Sequence, residues 1–234
     1  MPAVVVKAEH FNYCVYFSAK RRSIALQVKQ GQLSVRAPLG CSLLDVEALV
    51  VSKQSWVLKH LQHNKSQIAP DWLMLQQLPY LGDTLMVSIL SGKRQWVEMS
   101  GNQIYLWVSN KCKADDMTKK AAELARKWYQ QQAHIWFVER VSYWQQLMNL
   151  YPGVMVVGNW KTKWGYCKSD AEVGFNWRLL MGPAWVADYV VIHELAHLKH
   201  LNHSREFWRL VEQYCPQRRL AIEWLKQNQY WMTI

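Results

Sequence analysis

The stretch His193-Glu194-Leu195-Ala196-His197-Leu198-Lys199-His200-Leu201-Asn202-His203 holds four of the chain's eight histidines. Its first five residues read H-E-x-x-H. On a helix, positions i and i+4 stand one turn apart on the same face. His193 and His197 can therefore aim both imidazoles at one point, and zinc is what such a pair usually holds. Glu194 follows the first ligand and can reach the far side of the metal, where a water would lie. His203, six residues past His197, stands at a spacing used for a third ligand. The chain must turn sharply between them, and Asn202, which tolerates left-handed backbone, is the expected place. Tyr189-Val190-Val191-Ile192 precede the motif, so the helix is expected to run buried into its site. The competing reading is a core helix whose histidines merely find hydrogen-bond partners.

Upstream of this helix the pattern changes. Phe11 to Ser18, Ser23 to Lys29 and the residues around Leu33, Val35 and Ala37 alternate as strands do, with Gln30-Gly31-Gln32 as a turn. Ser42, with Asp45 three residues on, predicts a capped helix to about His63. Thr84 to Leu90, Gln95 to Met99 and Gln103 to Val108 form a second β region, turned at Gly92 and at Gly101-Asn102. Thr118 to about Asn149 has helical periodicity, as one helix or two, and Pro152-Gly153 ends it. Val154 to Trp160 is a strand. Lys163 to Trp177 is a loop and strand turned at Ser169 and Asp170. Pro183 starts the histidine helix, Ser204 caps the next through Tyr214, and Pro216 opens the last. No sequence repeat is evident. The fold class is α+β: an N-terminal antiparallel β-rich part with one helix, residues 1–112, then a helical part with a short sheet and the H-E-x-x-H helix, residues 113–234.

The length, 234 residues, allows one large domain or two small ones, and half the residues are apolar, which excludes a disordered chain. Fourteen tryptophans predict a thick core or aromatic-lined surfaces. A formal charge of +11 favours acidic partners, nucleic acid and nucleotides among them. The basic clusters Lys20-Arg21-Arg22, Lys161-Lys163-Lys168 and Arg218-Arg219 are short enough to be solvated surface. Five widely spaced cysteines without a C-x-x-C predict neither a disulfide framework nor a cysteine zinc site. No segment reads as a secretion signal or a membrane span. A cytoplasmic protein with no membrane partner is expected, and the oligomeric state has no signature.

Several motifs together carry a family resemblance. They are Lys161-Thr162-Lys163-Trp164-Gly165-Tyr166-Cys167, Asn176-Trp177-Arg178-Leu179, Tyr189-Val190-Val191 running into His193-Glu194-Leu195-Ala196-His197-Leu198, Asn202-His203-Ser204 and Phe207-Trp208. With Arg21-Arg22-Ser23-Ile24-Ala25-Leu26, Val35-Arg36-Ala37-Pro38-Leu39-Gly40 and Lys53-Gln54-Ser55-Trp56-Val57, the chain resembles the YgjP-like zinc metallopeptidases over nearly its whole length. That family is similar in motif to SprT-like and WLM-type proteases. The resemblance implies a zincin-like catalytic region, zinc (Zn2+) held by His193, His197 and His203, and Glu194 as catalytic carboxylate. It also shows a departure: where the family usually reads Trp-Gly-Ser-Cys, Tyr166 stands in place of Ser.

Three neutral imidazoles leave zinc an open position and acidify its bound water, and Glu194 is placed to take that proton. Lys163, Tyr166 and His200 are candidates for substrate contacts or for support behind the ligands. Asp188 or Glu206 is a candidate to orient a ligand imidazole. Cys167 is read as a small packed residue rather than a thiolate ligand. The expected activity is peptide-bond hydrolysis in peptides or proteins, with a strand between residues 160 and 177 pairing with the substrate. A zinc hydrolase of nucleotides or phosphoanhydrides and a nucleic-acid-associated protease remain as alternatives.

Overall fold

The structure is a computed structural model and describes residues 4–8, 10–29, 31–65 and 69–234. The chain divides into two compact units, Met1–Ala69 and Pro70–Ile234. Sequence patterning puts the boundary after 112. It falls at 69/70 because the second β region shares a core with the long helix that follows it, Leu78, Leu85, Ile104 and Leu106 being buried in one cluster with Ala121, Ala125 and Tyr129.

In the first unit, β1 (Val4–Lys7), β2 (Asn12–Ser18), β3 (Ala25–Lys29) and β4 (Gln32–Pro38) form a sheet in the order β1-β2-β4-β3. The sheet is mixed rather than antiparallel. β2 runs parallel to β4, with Tyr13 opposite Leu33 and Val15 opposite Val35, while the outer pairs are antiparallel. Gly31, at φ 72°, supplies the left-handed residue of the β3–β4 turn; Gln30 lies outside the described residues. One face is apolar: Tyr13, Val15, Leu33, Val35 and Ala37 are buried with Val46, Val50 and Val57 from the helical side. Ser42 and Asp45 form the expected capping box of α1 (Leu43–Ser52). The expected single helix is interrupted at Lys53, and α2 (Gln54–Lys65) follows. At the break the Ser52 hydroxyl donates to Leu49 O at 2.8 Å, competing with the backbone ladder.

The second unit opens with the same wiring. β5 (Gln77–Tyr80), β6 (Asp83–Gly92), β7 (Trp96–Ser100) and β8 (Gln103–Ser109) lie in the order β5-β6-β8-β7, with β6 parallel to β8 and both outer pairs antiparallel. Leu85, Val87, Ile104, Leu106 and Val108 bury the inner face. A single helix follows, α3 (Met117–Met148), ended by Asn149 in the left-handed conformation. Tyr129 on α3 donates its buried hydroxyl to Pro79 O and ties helix to sheet.

The rest of the unit builds the platform of the site. β9 (Val154–Gly158), β10 (Gly165–Cys167) and β11 (Glu172–Asn176) form a three-stranded sheet ordered β10-β11-β9, so β10 is an edge. Then come α4 (Ala184–Ala196), α5 (Arg205–Tyr214) and α6 (Arg218–Asn228). Most of α4 is buried. Across the α3–α4 contact, Arg140 grips Asp188 through two nitrogens at 2.7 and 2.9 Å, and Trp144 Nε1 donates to the same carboxylate at 2.9 Å. That is a bidentate, charge-assisted contact. Among the described residues no helix is long and apolar enough to cross a membrane.

Candidate metal centre

Pro183 caps the start of α4, where its missing N–H removes no bond. The apolar run Val190-Val191-Ile192 anchors the helix in the core, each residue 4% exposed or less. His193 and His197 then emerge one turn apart, ring centroids 5.0 Å from each other. His197 is the helix cap, and the chain turns back at once, His200 N–H donating to Ala196 O at 3.0 Å. Asn202 is not left-handed, contrary to the sequence expectation; this tight turn at the helix end reverses the chain instead. Ser204 accepts from Phe207 N–H at 3.3 Å and starts α5. His203, one residue earlier, is thereby held beside the helix pair. Its Nε2 lies 3.1 Å from His193 Nε2, and one ligand atom from each of the three histidines lies within 4.8 Å of the others.

The surroundings aim these rings. His197 Nδ1 stands 3.0 Å from His200 O, so the proton sits on Nδ1 and the Nε2 lone pair is free for a cation. Tyr189 Oη stands 3.5 Å from His193 Nδ1. Phe207 is fully buried among all three imidazoles, with centroids 4.5 to 5.0 Å away. Trp208 stacks on His203 at 5.3 Å and 20°. The guanidinium of Arg218, tied to Glu212 at 2.7 Å, covers the Trp208 ring at 4.4 Å. His203, which lies in the turn between the two helices, is thus braced by a ladder of planar groups.

Burial sets the charge state. It lowers the pKa of His193 to about 3, with the neighbouring His197 and His203 adding to the fall. His197 is lowered as well, mainly by burial. Neutral imidazole is the form that binds a metal, so a cluster of three imidazole nitrogens fits a divalent ion such as zinc. Glu194, 7% exposed, has its pKa raised to about 8 by burial, while Lys163 works the other way. A side chain at Gly165 would meet the Glu194 carboxyl: a Cβ there would stand 2.6 Å from Oε1. The edge strand β10 can lie against Glu194 only because that position has no side chain.

The remaining sequence candidates scatter. Lys163 Nζ sits over the Tyr166 ring at 4.2 Å and the Trp160 ring at 5.2 Å, close enough to Glu194 to favour its ionised form. Tyr166 does not reach the histidines. It follows Gly165 on the strand, so its side chain takes the opposite face. There its hydroxyl donates to Glu172 at 2.5 Å, and the ring lies over Gly174. His200 contributes its backbone carbonyl to His197. Asp188 is held by Arg140 and Trp144, and Glu206 by the start of its own helix, so neither orients a ligand imidazole. Cys167 is half-buried, its thiol pKa raised chiefly by burial. Sequence reasoning missed three supports: Gly165 as a clearance, Trp208 as a backing plate and the carbonyl of His200. Strand parity around Tyr166 was the available signal for the first.

The sequence profile of the YgjP-like metallopeptidase domain matches residues 22–228. The chain belongs to the YgjP-like metallopeptidase family. As a YgjP-like protein it is a hydrolase of the metallopeptidase type, and the family implies a divalent metal. Two solved structures are similar to part of it. The metallopeptidase zymogen abylysin of Pyrococcus abyssi is 22% identical, with a TM-score of 0.36 over 39% of this chain and 93% of that one. The zymogen jannalysin of Methanocaldococcus jannaschii is 19% identical, with a TM-score of 0.32 over 36% and 91%. A comparison with curated proteins gives no significant match.

Proposed function

We propose that this protein is a zinc peptidase that hydrolyses peptide bonds in an extended substrate lying along β10, with His193, His197 and His203 as metal ligands and Glu194 as the proton carrier. The observation that carries this reading is the convergence of three imidazole nitrogens within 4.8 Å beside a buried carboxylate. A zinc ion held there polarises a carbonyl oxygen and acidifies water. Glu194 takes a proton from water and returns it to the departing amine, its buried carboxyl lining the same cleft as His193. His197 keeps its donor nitrogen aimed through the bond to His200 O. Tyr189, Val190 and Leu225 line a cleft of about 350 Å³ next to His193 and Glu194 and restrict water around the reacting bond.

The placement of β10 supports the substrate mode. It is a sheet edge, and Gly165 on it touches Glu194. A peptide that adds to this edge as a further strand passes the carboxylate with its own backbone. The five unpaired cysteines suit work in a reducing compartment such as the cytoplasm.

The test is metal analysis of the purified protein, followed by a peptide-library digest of the wild type against Glu194→Gln. About one zinc per chain is expected, with cleavage lost by a factor of 10³ or more in the variant, on the scale of general acid–base contributions. Nucleoside triphosphates serve as control substrates. Phosphate release that depends on Glu194, with no peptide cut, would replace the peptidase by a phosphoanhydride hydrolase.

A further inference from the structure

A second cavity, of about 200 Å³, adjoins the metal cleft, and the two share Trp164 and Gln229 as a common wall. Its lining is cationic: Lys161, Lys163 and Arg178 face it together with Trp160 and Asn176, and no acidic residue lines it. Among the described residues, no carboxylate forms an ion pair with any of these three cations, although Lys163 stands close enough to Glu194 to favour its ionised form. Arg178 is the most telling. It is half-buried, its Nε is buried without a hydrogen-bond partner, and one terminal nitrogen makes only a long contact, 3.4 Å, to Trp160 O. Burial, then the like charge of Arg126, work against its protonated form. Unpaired buried donors are costly, and a guanidinium fork matches a planar carboxylate. Asn176 is not the ligand-binding group: its amide is occupied by Trp160 O at 2.7 Å and Lys163 O at 3.0 Å, which fixes the loop carrying both lysines.

We propose that this cavity is an anionic subsite that binds a substrate carboxylate through Arg178, Lys161 and Lys163, so that the preferred peptides carry an acidic group beside the bond to be cut. The inference rests on the peptidase reading for its location but not for its chemistry. A carboxylate reaches the site from either of two sources, an Asp or Glu side chain or the free C-terminus of a peptide. The first makes the protein selective for acidic sequence, the second for chain ends.

Two sets of matched decapeptides test this. In one, a single Glu or Gln is walked along an otherwise neutral peptide with an amidated C-terminus. In the other, an all-neutral peptide carries either a free or an amidated C-terminus. The carboxylate form is expected to be cut with kcat/KM roughly tenfold to a hundredfold higher in one of the two sets, the range of a charge-assisted hydrogen bond. The ratio is expected to fall towards one in Lys161→Gln, whose exposed position leaves folding intact, and further in Arg178→Gln. Equal rates within each pair overturn the subsite while the peptidase stands. If no peptide is cut, calorimetric binding of the same pairs to the Glu194→Gln protein decides. Carboxylate-dependent affinity lost with Lys161→Gln supports the subsite without a peptidase, and equal or absent binding overturns it. An oligonucleotide that binds in a Lys161-dependent manner where the acidic peptides do not would also overturn it, by assigning the cations to phosphates.

Discussion

Glu194 shows how a single position couples stability to chemistry. Its folded pKa, raised to about 8, lies above the ordinary value of 4.5. Between those values the folded protein without metal holds a proton that the unfolded chain does not. Stability is therefore greatest below the unfolded value and is lost as pH rises through the folded one. His193 behaves oppositely: with a folded pKa of about 3 against 6.5, it removes stability as pH falls between them. The two effects oppose each other from pH 4.5 to 6.5, which leaves 6.5 to 8 as a window for Glu194 alone. Metal-free wild type is expected to lose up to about 1.4 kcal/mol per pH unit there. In thermal melts Glu194→Gln is expected to be flat over the same window. At Gly165, an added methyl would intrude on the carboxyl, so Gly165→Ala is expected to fold normally and lose about a hundredfold in kcat/KM, the scale of a 1 Å misplacement. At this scale the clustering of His193 and His197 was legible because a helix repeats its faces locally. Tyr166 was read as a candidate for the site, yet it turns to the other face of β10, which strand parity could have shown. The orphaned Nε of Arg178 was not, because burial of one atom depends on residues distant in the chain.

Among the elements, α4 is held from two sides. Arg140 of α3 clamps Asp188, and the ladder from Trp208 to Arg218 backs His203. Trp208→Ala is expected to weaken zinc binding tenfold to a hundredfold, as loss of support behind a ligand does, with little change in helix content. A competition titration with a chromogenic chelator measures it. Asp188→Ala would leave a guanidinium and an indole N–H without their acceptor, and it is expected to cost about 2 kcal/mol in a urea melt. Neither contact could be read from sequence: Arg140 and Asp188 are 48 residues apart and no periodicity relates them. Some strands were readable from alternation, and β2, β4 and β8 stand where it put them, whereas the edge strands β1 and β5 were not foreseen. Strand direction was not. The parallel pairs β2–β4 and β6–β8 depend on which edge each hairpin returns to, and no local residue encodes that.

Taken whole, every residue of the metal cleft and its cationic neighbour falls in the unit Pro70–Ile234. We therefore expect residues 70–234, produced alone, to fold and bind one zinc, as circular dichroism and metal analysis can check. The placement of the boundary was hidden from sequence because β5–β8 resemble the first sheet in pattern yet pack on α3. That likeness has a kinetic cost. Two sheets with one wiring give each nascent hairpin a choice of template, and pairing with the wrong one is a characteristic hazard of duplicated architecture. Refolding of the full chain should show a slow, error-correcting phase that the isolated second unit lacks, and concentrated samples should lose material to exchange between molecules.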